Sequence, residues 1–117
     1  MKKTLKLFDF DLQSKVSIYV PSTTNVNQQT DNTEQVRRII GTLSDWFGGA
    51  TASKAVGGWR CNDGSVVVED VTIVYAFCAD EQLQKRIRDI IGICEDLKRD
   101  MGQEAVTLEI NGQVKFI

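Results

Sequence analysis

Few side chains in this sequence could do chemistry, and the most informative feature is an absence: none of its 117 residues is a histidine. That removes the commonest general base at neutral pH, the Ser-His nucleophile pair and the usual zinc ligand sets. Carboxylates, thiols and cations are what is left. Glu69 and Asp70 form an adjacent acid pair inside a strongly β-forming run. Neighbours in a strand point to opposite faces, so the two are not expected to act together on one substrate atom. Glu104 is a further acid that could give or take a proton. Cys61 follows Arg60, whose charge would stabilise a thiolate, but no base or second cysteine accompanies it. The plainer reading makes the acid pair polar positions near the outer end of a long hairpin and the thiols inert. On these grounds no catalytic residue, metal set or cofactor is assigned.

Two segments could instead bind. The first is FGGATASKAVGGW, residues 47–59. It lacks the GK[ST] ending of a phosphate loop, and its glycines do not match a dinucleotide fingerprint. Its first glycine pair is accounted for by ending a helix. The second, Gly57-Gly58, falls inside a predicted strand, where glycine marks a bulge, a sharp bend, or a place where another group comes close to the backbone. Under the last option Trp59 offers a flat stacking face, and Lys54 and Arg60 offer positive charge for an anionic ligand or an acidic partner. The second segment is Ser22, Thr23, Thr24 and Asn25, which leads toward the start of a helix where free N–H groups and hydroxyls can receive an anion. A loop that merely caps its helix has the same composition.

The elements that must position these groups follow from hydrophobic spacing. KVSIYV puts Val16, Ile18 and Val20 on one face of a half-buried strand that Pro21 ends, and LFDFDL before it alternates as a possible edge strand. Asp31 or Asn32 caps a helix whose stripe is Val36, Ile39, Ile40, Leu43, Trp46 and Phe47, stopped by Gly48. ATASKAVGGWRC and SVVVEDVTIVYAFC form a hairpin across Asn62-Asp63-Gly64, with the second strand in mid-sheet. Asp80 caps a second helix with Leu83, Ile87, Ile90, Ile91, Cys94, Leu97 and Met101 inward and Glu81–Lys85 and Glu95–Arg99 as surface pairs, ended by Gly102. In the tail, a strict two-residue Asn-Gly turn would put Val114 and Phe116 on the face opposite Val106 and Leu108. A three-residue loop, Ile110-Asn111-Gly112, pairs Leu108 with Val114 and Val106 with Phe116, restores one apolar face and is the predicted arrangement. The order is that of an α+β, ferredoxin-like split β-α-β sandwich: two helices on one face of an antiparallel sheet, with an extra N-terminal strand and a C-terminal hairpin.

Length and composition, 42% apolar with a net charge of -2, suit one domain spanning residues 1–117 and disfavour nucleic acid as a partner. Three cysteines without metal spacing suggest reduced thiols in a cytoplasm. Asp9 and Asp11 interrupt the opening apolar run before it reaches signal-peptide length, so neither export nor a membrane span is expected.

The strings YVPSTTNVN, FGGATASKAVGGW, VEDVTIVYAF and GQEAVTLEINGQVKFI resemble a family of small uncharacterised proteins of phages, plasmids and other mobile elements of Gram-positive bacteria, over residues 15–117. The resemblance implies context rather than mechanism. It leads to the expectation of a non-enzymatic, counter-defence binding protein that inhibits a host defence protein by direct contact. The alternatives are sequestration of a nucleotide or other small anionic signal, and a small enzyme using Glu69, Asp70 or Glu104. A homodimer is plausible, because an open sheet has a face that helices or a second subunit must cover.

Overall fold

Alternation sends Val16, Ile18 and Val20 to one side of their strand, and all three are fully buried. Each such side chain contributes about 1.5–3 kcal/mol to folding. The computed structural model describes residues 11–25 and 28–117. Its elements are β1 (Ser14–Pro21), β2 (Thr23–Thr24), β3 (Gln28–Gln29), α1 (Thr33–Phe47), β4 (Thr51–Arg60), β5 (Val66–Cys78), α2 (Asp80–Asp100), β6 (Thr107–Ile110) and β7 (Gln113–Phe116). The anticipated LFDFDL strand lies mostly outside the described residues.

The five-stranded sheet has the order β4-β5-β1-β6-β7, and every neighbouring pair is antiparallel. The α+β, ferredoxin-like split β-α-β plan with an added strand is therefore what the chain adopts. Both helices cover the face that carries Val16, Ile18, Val20, Val74, Ala76 and Cys78. They bury Val36, Ile39, Leu43 and Phe47 from α1 and Leu83, Ile90, Cys94 and Leu97 from α2, which is the stripe the spacing calls for. Gly48 closes α1 in the left-handed region with φ of 90°. No described helix is long and apolar enough to cross a membrane.

Three local expectations are corrected. Asn32 precedes α1 without a side-chain capping bond; Asp31 Oδ1 instead accepts from the Thr33 N–H at 3.0 Å and its hydroxyl at 2.6 Å. Asp80 is the first residue of α2 rather than its cap, and the Ala79 N–H before it donates to Gln82 Oε1. Arg99 turns to Asp96 and Asp100 rather than to Glu95.

The largest departure is the C-terminal hairpin. Asn111 and Gly112, with φ of 52° and 82°, form a strict two-residue turn. Thr107 faces Phe116, Leu108 faces Lys115 and Glu109 faces Val114. The turn prevails because two left-handed residues in succession match the twist of the flanking strands. Asn111 is also tied to β1: its side chain accepts from the Lys15 N–H at 2.8 Å, and its own N–H donates to the Lys15 carbonyl at 3.0 Å. Val114 and Phe116 consequently lie on the sheet face away from the helices, 52% and 72% exposed, the face that Phe77 on β5 also occupies at 53%.

Candidate functional site

Pro21 is the last residue of β1, opposite Val71, so β5 continues toward Val66 with no neighbour on that side. There the chain leaving β1 folds into the small β2-β3 hairpin and returns to start α1. A groove opens between this returning segment and the free edge of β5. Its central lobe, 310 Å³, is lined by Ser22, Thr30, Asp31 and Asn32 on one side and by Lys54, Val56, Asp70 and Thr72 on the other. A second lobe of 190 Å³ continues past Ser22 and Asp70 to Thr23, Gln29, Val67 and Glu69. A third, 270 Å³, runs the other way from Asn32 and Lys54 between α1 and β4, over Val36, Arg37, Ile40 and Ala52.

Asn32 holds the walls in place. Its Nδ2 donates toward the carbonyls of Val20 (3.4 Å) and Pro21 (3.1 Å), the Ser22 hydroxyl (3.2 Å) and the Thr72 hydroxyl (3.2 Å). One amide thus ties the end of β1, the returning loop and β5 together. A second clamp acts from the turn after α2: Gln103 Nε2 donates to the Thr23 carbonyl at 2.8 Å, and the Asn25 N–H donates to the Met101 carbonyl at 2.9 Å. Gly102 fits there because a Cβ on it would stand 2.5 Å from Asn25 Oδ1, and its φ is 60°.

The expected site residues separate into two places. Ser22, Thr23 and Lys54 line the groove. Thr23 is only 4% exposed and its oxygens are engaged by Gln103, so it shapes the wall more than it offers itself. Thr24 and Asn25 lie on the α2 side of the loop and line none of these lobes. Gly57, Gly58, Trp59 and Arg60 sit farther out, on the two-stranded arm that residues 56–60 and 66–70 form beyond β1. Pairing there is unbroken, Gly57 with Glu69, Gly58 with Val68 and Trp59 with Val67, so the expected bulge or bend at the glycine pair is absent. A Cβ on Gly57 would meet nothing within 4 Å, and one on Gly58 would meet the Val67 carbonyl of the same hairpin at 3.2 Å. Trp59 is 46% exposed, and Arg60 donates to the Gly64 carbonyl at 2.7 Å, within its own turn.

The acids are placed differently from the expectation. Glu69 and Asp70 do point to opposite faces, since they pair with Gly57 and Val56. Both nevertheless line one lobe, because the groove runs along the strand edge rather than over a face. Glu104 is exposed and lines none of the three lobes. Asp31, for which the sequence signals only a helix cap, completes the acid set. Its carboxyl lies below the ordinary carboxylate range, chiefly through the Thr33 hydroxyl, with Lys54 adding a smaller attraction. Across the central and β5-edge lobes, Asp31, Glu69 and Asp70 face the single cation Lys54 among the described residues. These two lobes carry more negative than positive charge. Its thiols play no part: Cys94, pushed to about 12 by burial, and Cys78, also raised by burial, belong to the core.

No family model and no curated protein sequence matches this chain. Solved structures do. A phage SAM lyase in complex with S-methyl-5'-thioadenosine is similar with a TM-score of 0.67 at 16% identity, covering 97% of this chain and 95% of that one. A phage SAM lyase in the apo state is similar with a TM-score of 0.66 at 17% identity, with the same coverage. At that identity the likeness is one of fold. It corrects the expectation of a non-enzymatic protein that inhibits a host defence protein by contact or sequesters a signal, because the architecture shared along nearly the whole chain is one that carries an enzyme.

Proposed function

We propose that this protein cleaves S-adenosylmethionine and releases S-methyl-5'-thioadenosine. One observation carries the reading: the fold matches, end to end, that of a phage SAM lyase held with that thioether. The groove agrees with it in charge. The substrate bears a sulfonium and an ammonium against one carboxylate, and the two lobes beside β5 present three carboxylates against one ammonium.

The reaction also suits a chain without histidine. A carboxylate oxygen of the substrate's own amino-acid chain attacks the γ-carbon, the C–S bond breaks, and its electron pair returns to sulfur. The products are a neutral thioether and a lactone, and no proton moves in the step. The competing route, elimination across the β and γ carbons, needs a base strong enough to take a carbon-bound proton. Displacement within the substrate needs chiefly that a flexible chain be held folded, with the carboxylate oxygen in a near-attack position on the γ-carbon. Because opposite charges cancel as the C–O bond forms, partial exclusion of water assists the same step. In this scheme Glu69 and Asp70 bind and orient, accepting from the ribose hydroxyls and the ammonium, and neither acts as a base.

Loss of the cell's methyl donor would disarm defences that depend on it. The counter-defence setting then follows from chemistry rather than from capture of a host protein. The same reading takes a second copy of the chain as the cover for the sheet face bearing Phe77, Val114 and Phe116, each more than half exposed. Sedimentation at assay concentration tests that element, and a monomer would remove it.

The activity test is direct. Purified protein is incubated with S-adenosylmethionine, and the products are resolved by chromatography. S-Methyl-5'-thioadenosine together with homoserine lactone is expected; formation of neither above the buffer control sinks the proposal, and vinylglycine in place of the lactone sinks the displacement route.

A further inference from the structure

We infer that Lys54 is the specificity-determining residue of the groove, holding the carboxylate of the substrate's amino-acid chain; the inference rests on the proposed cleavage. Lys54 lies on β4 opposite Thr72 and borders both the central lobe and the lobe between α1 and β4. It is the one cation of the central lobe among the described residues. Asp31, the acid that feels its charge, has Oδ1 engaged by the Thr33 N–H and hydroxyl, and no acid within 4.0 Å of Lys54 closes an ion pair with it among the described residues. Arg60, the other cation first considered with it, is occupied in the distal turn.

An ammonium without an ion-pair partner, in a lobe whose other charged groups are Asp31 and Asp70, is matched by only one part of the proposed substrate. The ribose, the sulfonium and the amine all prefer the acids; the carboxylate alone prefers Lys54. As a compact point charge, a lysine can hold one carboxylate oxygen while the other stays free to reach the γ-carbon. An arginine gripping both oxygens would immobilise the nucleophile. The arrangement thus accounts for selection of a ligand with an α-carboxylate over one without, and for how a charged nucleophile is kept near the carbon it attacks.

The experiment compares S-adenosylhomocysteine, which keeps the carboxylate, with S-methyl-5'-thioadenosine, which lacks the whole amino-acid chain, by calorimetry on wild type, Lys54→Met, Lys54→Arg and Arg37→Met. Loss of a charge-assisted hydrogen bond predicts that Lys54→Met weakens S-adenosylhomocysteine about ten- to a hundredfold. Binding of S-methyl-5'-thioadenosine changes less than about twofold, since it makes no such bond. Lys54→Arg restores part of the lost affinity, and Arg37→Met, which removes the competing cation of the neighbouring lobe, shifts the ratio of the two affinities less than Lys54→Met does. Lys54 is exposed, so the melting temperature of each Lys54 variant should match wild type. Equal weakening of both ligands, an unaffected S-adenosylhomocysteine affinity, or a larger effect from Arg37→Met overturns the assignment while the cleavage reading stands. A wild type that binds neither ligand and forms no thioether overturns both.

Discussion

Replacing Asn32 by aspartate tests whether one amide sets the groove's shape. The substitution is isosteric, so it opens no cavity and isolates the hydrogen bonding. Asn32 Nδ2 carries two hydrogens shared among four oxygens at 3.1–3.4 Å, two of them carbonyls that can only accept. Losing the two donors costs about 2 kcal/mol, at about 1 kcal/mol for each hydrogen bond. Placing a part-buried anion against the Val20 and Pro21 carbonyls adds about 1–2 kcal/mol. A total near 3 kcal/mol at pH 7 would read as roughly 10–15 °C in Tm for a chain of this size.

The pH dependence gives the sharper test. The facing carbonyls disfavour the anion, so the introduced carboxyl has a higher pKa folded than unfolded. Its penalty is full above the folded value and fades as pH falls toward the ordinary carboxylate value of about 3.9, where the protonated acid regains a donor. Urea unfolding followed by circular dichroism, with the variant compared to wild type at pH 7 and pH 4.5, should show the difference shrinking. Asn32→Ala, which has nothing to titrate, should keep a constant difference of about 2 kcal/mol. A variant within 0.5 kcal/mol of wild type at pH 7, or a difference for Asn32→Asp that does not narrow on acidification, would refute the clamp.

Glu69→Gln should reduce thioether formation at least tenfold with an unchanged fold, since the side chain is only half-buried and forms no ion pair among the described residues; turnover and circular dichroism measured together check this. Gly102→Ala should cost about 1–3 kcal/mol, from a left-handed backbone and the 2.5 Å clash with Asn25, and denaturant midpoints will show it. In native protein at pH 8, an aromatic disulfide reagent should modify Cys61 quickly and leave buried Cys78 and Cys94 until denaturant is added, consistent with burial raising both thiols. Asp31 and Asp63 lie below the ordinary carboxylate value through bonds to Thr33 and Ser65. The stability they lend is present above that value and lost as pH falls through the folded one, so Asp31→Asn with Asp63→Asn should flatten the acid limb of a stability profile below about pH 4.

Much of the architecture was legible from spacing. The β1 alternation, the two helical stripes, the Asn62-Asp63-Gly64 hairpin and the left-handed stop at Gly48 all concern contacts between residues a few positions apart, where composition and geometry are directly coupled. The C-terminal register departs from the hydrophobic pattern because burial of Val114 and Phe116 does not outweigh turn geometry. The Asn-Gly turn and its bonds to Lys15 outweighed it.

The groove was only partly legible. Lys54, Ser22, Glu69 and Asp70 each stand out by type and line it, whereas Trp59 and the second glycine pair lie farther along the arm. What brings Asp31 and Asn32 to Thr72 and Asp70 is the end of β1 at Pro21, which leaves one edge of β5 open, and the return of the loop across it. Local spacing determines which face of a strand or helix an amino acid occupies. An edge groove joins segments some 40 positions apart, Asn32 and Thr72 among them, and exists only once strand order and strand length are both settled, which is a property of the packed sheet as a whole.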